Sequence, residues 1–138
     1  MTGIKAEQRT ELIRRAVEAL PRAYAPYSNY PVGAAVLAGS GAMYSGVNIE
    51  NSAYPSGVCA ERAAVFSAVS QGEREILAVV VASRNGGMPC GSCRQVISEF
   101  GPDARVIVVD GEEKIVREAG LRELLPHAFG PADLSTGR

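Results

Sequence analysis

The sequence predicts an α/β fold, a three-layer α/β/α sandwich with a central mixed five-stranded sheet. Helical patterns and short apolar runs alternate along the chain in the order α-β-β-α-β-α-β-β-α, which is typical of a sheet covered by helices. The chain has 138 residues, of which 46% are hydrophobic and 21% charged. This is the size and composition of one globular domain with its own core. No repeat or long linker divides the chain, so we expect a single domain over residues 1–138.

The first half of the chain predicts a helix, a hairpin and a second helix. Residues 6–20 place apolar side chains at helical spacing, and a proline ends the run. After a loop rich in proline, serine and asparagine, the segments 32–39 and 42–49 predict a hairpin that turns near Gly41. The alanine-rich segment 59–72 stops at a glycine and predicts a well-packed helix.

The second half predicts three strands and two helical segments. In chain order these are a strand buried on both faces over 75–83, a helix over 91–100, strands over 105–110 and 114–120, and a last helical turn over 121–126. From Phe129 onward we expect mostly an unstructured tail.

Charge and hydropathy exclude several classes of function. Fourteen Lys and Arg against fifteen Asp and Glu give a formal charge of −1, with no basic excess for a nucleic-acid groove or an anionic membrane. The longest apolar run, over 76–82, is far too short to span a bilayer. Residues 1–15 are too charged for a secretory signal. We expect a cytoplasmic protein with neither nucleic-acid nor membrane partners.

The chain has three cysteines, and their positions predict a metal site. Cytoplasmic thiols stay reduced, and three cysteines cannot all pair, which argues against a disulfide framework. Cys59 opens one predicted helix, while Cys90 and Cys93 flank the start of another. Helix N-termini favour thiolate over thiol. Three thiolates on Zn²⁺ would leave a fourth position open, as in catalytic zinc sites.

Other interpretations of the cysteines stay open at this point. A C-x-x-C pair beside a helix also suits a redox dithiol, although that hypothesis leaves Cys59 unexplained. Free cysteines also pack in cores. A closed structural zinc site would need a fourth ligand, and His127 is the one histidine of the chain.

Two charged residues next to Cys59 favour a catalytic metal site. Glu61 lies on the first turn of the same predicted helix, within reach of the proton of a zinc-bound water. Arg62 follows, and a guanidinium that donates to thiolate sulfurs would relieve their negative charge. Outside such a site, the two would be an ordinary helix-start carboxylate and a surface arginine.

The segment "CAER" followed by "PCGSCRQ" resembles the zinc-dependent nucleoside deaminases, specifically the short, single-domain cytidine deaminases that form homotetramers. Three further blocks are similar to that family: "PYSNYPVGAAV", "GVNIENSAYPSGVCAER" and "LLPHAFGPADL". The resemblance implies a cytidine deaminase-like fold with one Zn²⁺ per chain. It also implies a pyrimidine nucleoside substrate, with hydrolytic deamination of cytidine and 2′-deoxycytidine to uridine and 2′-deoxyuridine in pyrimidine salvage.

The resemblance also implies roles for particular residues. The zinc ligands would be Cys59, Cys90 and Cys93. Glu61 would move protons, and the Ala60 N–H, free at a helix start, would hold the pyrimidine O2. Asn48 and Glu50 would hold the ribose hydroxyls, and their alternate positions on a strand would point them the same way.

Three aromatic residues match family positions that line or complete the site. Tyr30 stands where the family usually has phenylalanine in the pyrimidine pocket, and its hydroxyl needs a partner. Phe129 matches a phenylalanine that stacks on the base from a neighbouring subunit, and Tyr54 a residue contributed across a subunit interface. Active sites would then be shared between subunits.

Two alternative functions of the protein stay open. One is an aminonucleoside-antibiotic deaminase, against which Glu50 argues, and the other is a non-catalytic zinc module.

Overall fold

The computed structural model describes residues 3–135, which form a sheet with helices on both faces. The helices are α1 (Ala6–Ala19), α2 (Ala60–Ser70), α3 (Gly91–Phe100), α4 (Leu121–Leu124) and α5 (Pro131–Ser135). The strands are β1 (Gly33–Ala38), β2 (Met43–Val47), β3 (Ile76–Ala82), β4 (Arg105–Val109) and β5 (Ile115–Gly120). Single 3₁₀ turns cover Leu20–Arg22 and Tyr54–Ser56. The predicted α/β class and the predicted mixed five-stranded sheet are confirmed.

The strand order β2-β1-β3-β4-β5 brings three chain segments to one edge of the sheet. Only β3 and β4 pair in parallel, with α3 as their crossover; the other neighbours are antiparallel. Gly33, the first residue of β1, pairs with both Val47 at the end of β2 and Ala82 at the end of β3. The segments before β1, after β2 and after β3 therefore emerge side by side.

Alternation along the strands divides the core into two layers. In β1, Ala34 and Val36 face α2 and α3, whereas Ala35 and Leu37 face α1. All six residues of β1 are buried, since helices cover both faces of the central strands. Each buried branched side chain contributes roughly 1.5–3 kcal/mol of transfer free energy, so the two layers hold the helices firmly against the sheet.

Helix α2 lies unusually close to β2 because of Gly46. A Cβ atom at Gly46 would lie 2.4 Å from the Ala64 nitrogen and 2.7 Å from the Ala60 carbonyl oxygen. Only a residue without a side chain fits that gap. The close contact fixes the first turn of α2 over the edge where β2 ends.

The C-terminal segment differs from its prediction as a tail. Residues Pro131–Ser135 form the short helix α5. Pro131 suits the first position of a helix, and the Asp133 carboxylate accepts the Gly130 N–H at 2.8 Å, so local capping favours this turn. The rest of the predicted tail, 136–138, lies outside the described residues. Across the described range, no helix is both long and apolar enough to cross a membrane.

Candidate active site

The three cysteine thiols meet at the sheet edge where β2 and β3 end. The Sγ atoms of Cys59, Cys90 and Cys93 all lie within 4.8 Å of one another. The Cys59–Cys90 distance is 3.9 Å and the Cys90–Cys93 distance is 3.5 Å. Tetrahedral Zn–S bonds of ~2.3 Å separate two sulfurs by roughly 3.8 Å. The cluster therefore fits one zinc ion per chain, and three protein ligands leave one tetrahedral position for a small molecule.

The helix starts explain why the thiols accept negative charge. Cys59 is the N-cap of α2 and Cys90 the N-cap of α3, and no side chain caps either helix. Serine, threonine, aspartate and asparagine usually fill this position and bind the free N–H groups. Here the sulfurs lie where those N–H groups and the helix dipole stabilise an anion.

The charge in the cluster is unevenly divided when no metal is bound. Hydrogen bonds from Cys93 and then from Arg62 lower the pKa of Cys59 to about 5. The hydrogen bond to Cys59 and burial raise the pKa of Cys93. One thiolate and a neighbouring thiol thus share a proton, which a divalent cation would displace.

Arg62 lies against the cluster as a fixed positive charge. Its Nη2 donates to Cys59 Sγ at 3.4 Å. Its Nε is buried and lacks a hydrogen-bond partner within residues 3–135. A buried donor without an acceptor is costly, and here it adds positive potential beside sulfurs that carry negative charge when they bind a metal.

Glu61 is almost completely buried beside the thiols. Its side chain is 4% exposed, because the first turn of α2 packs into the core layer that faces α3. Burial, and secondarily the negative charge of Cys59, raise the pKa of Glu61. A carboxyl group whose pKa is raised in this way binds a proton more readily than an exposed carboxylate, which suits it to moving protons rather than to binding a cation.

Asn48 and Glu50 lie just beyond β2, and both side chains point toward the segment before β1. Asn48 Oδ1 accepts the Val32 N–H at 2.9 Å, and Nδ2 donates to the Tyr30 carbonyl at 2.9 Å. The predicted common direction agrees with the structure. The strand itself ends at Val47, earlier than predicted.

The Glu50 carboxylate is held by the same segment. It accepts the N–H groups of Tyr27 at 2.9 Å and Ser28 at 3.1 Å, and also the Ser28 hydroxyl. These hydrogen bonds, chiefly the one from the Ser28 hydroxyl, lower the pKa of Glu50. The carboxylate is therefore ionised at neutral pH and fixed in direction.

An open cleft of ≈ 490 Å³ lies beside the thiols. Its lining comprises Tyr27, Ser28, Asn48, Ile49, Glu50, Asn51, Tyr54, Gly57, Val58, Cys59 and Arg62. The rings of Tyr27 and Tyr54 lie 5.8 Å apart at 60°. The lining thus brings Cys59 and Arg62 together with the polar pair of Asn48 and Glu50.

Six predicted site residues lie outside this lining, namely Tyr30, Ala60, Glu61, Cys90, Cys93 and Phe129. Ala60 is fully buried at the first position of α2. Tyr30 lies under the segment after β3, where its hydroxyl contacts Ser83. Phe129 lies in a different cleft together with His127, and its carbonyl accepts from Gln95 Nε2 at 3.0 Å. Within the described chain, the thiol cluster includes neither His127 nor any carboxylate.

Sequence reasoning missed the residues that support the site from a distance. Tyr27 and Ser28 fix Glu50, while Ser83 and Asn85 contact the Tyr30 hydroxyl. The one available signal was the Tyr30 hydroxyl, which required a partner. That partner is 53 positions away in sequence, so it depends on tertiary structure.

Comparison with known proteins finds similarity to cytidine deaminases in both a family model and individual relatives. Residues 6–110 match the family model described as the cytidine and deoxycytidylate deaminase zinc-binding region. A cytidine deaminase of Sporosarcina psychrophila is 46% identical over 127 residues, which cover 91% of this chain and 93% of that protein. A cytidine deaminase of Halalkalibacterium halodurans is 40% identical over 92% of this chain and 98% of that protein.

Solved structures agree in fold and in sequence. A cytidine deaminase from Burkholderia pseudomallei superposes with a TM-score of 0.82 at 38% identity, covering 91% of this chain and all of that one. A cytidine deaminase from Mycobacterium tuberculosis superposes with a TM-score of 0.76 at 39% identity, covering 88% of this chain and 97% of that one. With three thiols that fit zinc, the chain belongs to the family of cytidine and deoxycytidylate deaminases with a zinc-binding region.

Proposed function

We propose that the protein catalyses the hydrolytic deamination of cytidine and 2′-deoxycytidine to uridine and 2′-deoxyuridine, with release of ammonia, as a step in pyrimidine salvage. The main supporting observation is the position of a buried carboxyl group, Glu61, next to three thiols that fit zinc. A cleft whose lining also includes the polar side chains of Asn48 and Glu50 opens beside them. Zinc bound by Cys59, Cys90 and Cys93 would supply a Lewis acid that makes a water molecule nucleophilic at neutral pH.

Glu61 is proposed to handle the protons of the reaction. Water must lose one proton as it adds to C4 of the cytosine ring, and ring N3 must gain one. The added hydroxyl must then lose its proton as the C4 carbonyl forms, and the departing amino group must gain one to leave as ammonia. Because burial raises the pKa of Glu61, the carboxyl group accepts a proton more readily than an exposed carboxylate and can pass it on. One residue can therefore serve all of these transfers in turn.

The start of α2 is proposed to orient the pyrimidine ring. The first N–H groups of a helix have no partner within the helix, and no side chain caps α2. The Ala60 N–H is proposed to donate to the pyrimidine O2, which would have to reach it at the buried start of the helix. The adjacent Arg62 partly offsets the negative charge of the sulfurs.

Asn48 and Glu50 are proposed to bind the ribose. An amide nitrogen carries two hydrogens, and Asn48 Nδ2 uses one of them on the Tyr30 carbonyl. The other is free to donate to a sugar oxygen. Glu50 is ionised and keeps acceptor capacity for a sugar hydroxyl. Since both side chains are held by the segment 27–32, they would meet the sugar already ordered.

We propose a homotetramer in which subunits share active sites. Tyr54 is 75% exposed and Phe129 59% exposed, although aromatic side chains gain most from burial. Phe129 lies in a separate cleft from the thiols, so it would reach a pyrimidine bound in another subunit. We further propose that residues 1–138 act as a single domain and that the protein works in the cytoplasm, with no nucleic-acid partner.

The decisive experiment is ammonia release by the zinc-replete protein. Cytidine and 2′-deoxycytidine are the test substrates, with adenosine and the aminonucleoside antibiotic blasticidin S in parallel. We expect turnover of the two cytosine nucleosides only. Turnover of blasticidin S alone would indicate an antibiotic deaminase. No turnover of any substrate at one zinc per chain would contradict the proposal and favour a structural zinc module.

A further inference from the structure

Tyr30 and Ser83 form a hydroxyl pair that the proposed chemistry does not use; Ser83 is buried and Tyr30 is half-buried. Within residues 3–135, the buried polar or charged side chains are only Glu61 and Ser83, and Ser83 follows β3 directly. Ser83 Oγ lies 2.9 Å from the Tyr30 hydroxyl oxygen. It also accepts the N–H groups of Gly86 at 3.1 Å and Gly87 at 3.0 Å.

The hydrogen bonds of this pair form one complete set. The Tyr30 hydroxyl also contacts Asn85 Oδ1, which can only accept. The Tyr30 hydrogen therefore goes to Asn85, and the Ser83 hydrogen goes to the Tyr30 oxygen. Ser83 then has one donated and two accepted hydrogen bonds, which is the full capacity of a hydroxyl. Satisfied networks fix the groups that form them, and this one combines the buried Ser83 with the half-buried Tyr30 and the exposed Asn85.

The shape of the chain around the hydroxyl matches this arrangement. A Cβ atom at Gly87 would lie only 2.8 Å from the Tyr30 hydroxyl oxygen and 3.8 Å from the ring carbon that bears it. A side chain at position 87 would therefore collide with the hydroxyl but not with the ring. The Arg84 guanidinium lies 4.8 Å from the centre of the Tyr30 ring and donates to the Asn29 carbonyl at 2.7 Å. We call Ser83, Asn85 and Gly87 the hydroxyl socket.

The hydroxyl socket connects the two halves of the candidate site. On one side, Tyr30 belongs to the segment 27–32, whose backbone holds Asn48 and Glu50. On the other side, the socket belongs to the segment that runs from β3 to Cys90. The Tyr30 hydroxyl therefore adds a contact between the segment that holds Asn48 and Glu50 and the segment that leads to Cys90, beside the two backbone hydrogen bonds that join Ile49 to Val58.

We propose that Tyr30 is a positioning residue, whose hydroxyl, seated in the socket, fixes the nucleoside-binding segment 27–32 against the segment that leads to Cys90. The inference rests on the proposed function, because it takes Asn48 and Glu50 as sugar contacts. A phenylalanine at position 30, the residue usual in the family that this sequence resembles, would fill the same space without the connection.

The first test is Tyr30→Phe, with Tyr44→Phe as the matched control. Tyr44 also loses a hydrogen bond, to Glu73 at 2.9 Å, but it is the second residue of β2, near the hairpin turn. Loosened sugar contacts weaken substrate and transition state alike, so KM for cytidine should rise about fivefold while kcat changes less than about twofold. Tyr44→Phe should leave both constants unchanged. An unchanged KM in Tyr30→Phe would overturn the proposal.

The second test uses the collision at Gly87. Gly87→Ala should raise KM in the parent protein by displacing the hydroxyl, but it should add nothing in the Tyr30→Phe background, where the nearest ring atom is at van der Waals distance. Such non-additivity is the mark of two residues that share one contact. Equal effects of Gly87→Ala in both backgrounds would count against the socket.

A third measurement does not depend on catalysis. Amide hydrogen exchange over residues 27–32 should be faster in Tyr30→Phe than in the parent or in Tyr44→Phe, while zinc content stays at one per chain. If the protein turns over no nucleoside yet exchange changes as expected, the proposed function is wrong and the positioning role of Tyr30 is supported. If turnover is normal and exchange is unchanged, only the positioning role of Tyr30 is wrong.

Discussion

Cys59 and Cys90 occupy the same position, the N-cap, at the starts of two different helices. Their Sγ atoms lie 3.9 Å apart although the residues are 31 positions apart in sequence. At each position a cysteine stands where an oxygen-bearing side chain usually caps a helix. The metal site is therefore built at two helix N-termini, which favour negative charge.

Removal of zinc should leave the thiols unequal. With its pKa lowered to about 5, Cys59 should be thiolate at pH 6.5, while Cys93, whose pKa is raised, should stay protonated and unreactive. Iodoacetamide at that pH should alkylate Cys59 before Cys93 in the chelated protein, as followed by peptide mass spectrometry. Zinc-replete protein serves as the control and should be protected. Faster labelling of Cys93 would contradict this account of the cluster.

Glu61→Gln should abolish turnover while leaving the metal in place. The amide has the same shape but cannot exchange protons, so kcat should fall by at least about 10²–10⁴-fold. Because glutamine is neutral, as the buried acid is when protonated, the melting temperature should change little. Zinc content by metal analysis and kcat for cytidine are the two measurements. Normal activity in this variant would remove Glu61 from the mechanism.

His127→Ala should retain zinc with unchanged affinity. His127 is not part of the thiol cluster and lies in the cleft that holds Phe129. Competition with a chromogenic chelator measures the affinity, and Cys93→Ala is the positive control, with an expected large loss. A weakened site in His127→Ala would revive the closed structural zinc site.

Gly46→Ala should destabilise the protein and disturb the site together. The added methyl group meets the backbone of α2 at 2.4 Å, and overpacking of this kind typically costs about 1–3 kcal/mol. Gly111→Ala is a suitable control because nothing lies within 4 Å of the added atom. Chemical denaturation gives the free energy of unfolding, and metal analysis reports on the shifted α2. Equal stability of the two variants would show that α2 does not depend on Gly46.

Glu118 should make stability depend on pH in acid. Hydrogen bonds from Arg9 and Arg105 lower the pKa of Glu118 from 4.5 to about 2. Because the pKa of Glu118 is lower in the folded state than in the unfolded state, its ionised carboxylate stabilises the fold fully above the unfolded-state pKa. This stabilisation is lost as the pH falls from about 5 toward 2. Glu118→Gln should therefore cost about 1 kcal/mol at pH 7 after allowance for solvent screening.

The pH dependence of that cost is the diagnostic part. The difference in unfolding free energy between parent and Glu118→Gln should shrink as the pH is lowered from 5 to 3. A difference that stays constant over this range would mean that the ion pairs contribute nothing through ionisation.

The sequence predicted the elements better than their connections. Helical and strand patterns located the sheet, and the spacing of Cys59, Cys90 and Cys93 pointed to a metal because helix starts are recognisable locally. The helix Pro131–Ser135 was missed because five residues carry too little periodicity to be distinguished from a loop. The hydrogen-bond partners of the Tyr30 hydroxyl, Ser83 and Asn85, could not be predicted for a different reason. They lie 53 and 55 positions away in sequence, so only the tertiary structure brings them together.

The meeting of three loops at one sheet edge also has a consequence for how the protein folds. An unfolded chain can offer Cys90 and Cys93 to a metal as a local pair, but Cys59 joins them only after β1 has paired with both β2 and β3. Contacts between residues far apart in sequence are slow to form. We therefore expect full zinc affinity only after both pairings of β1 have formed, so that the bound ion marks chains in which these three strands are in register.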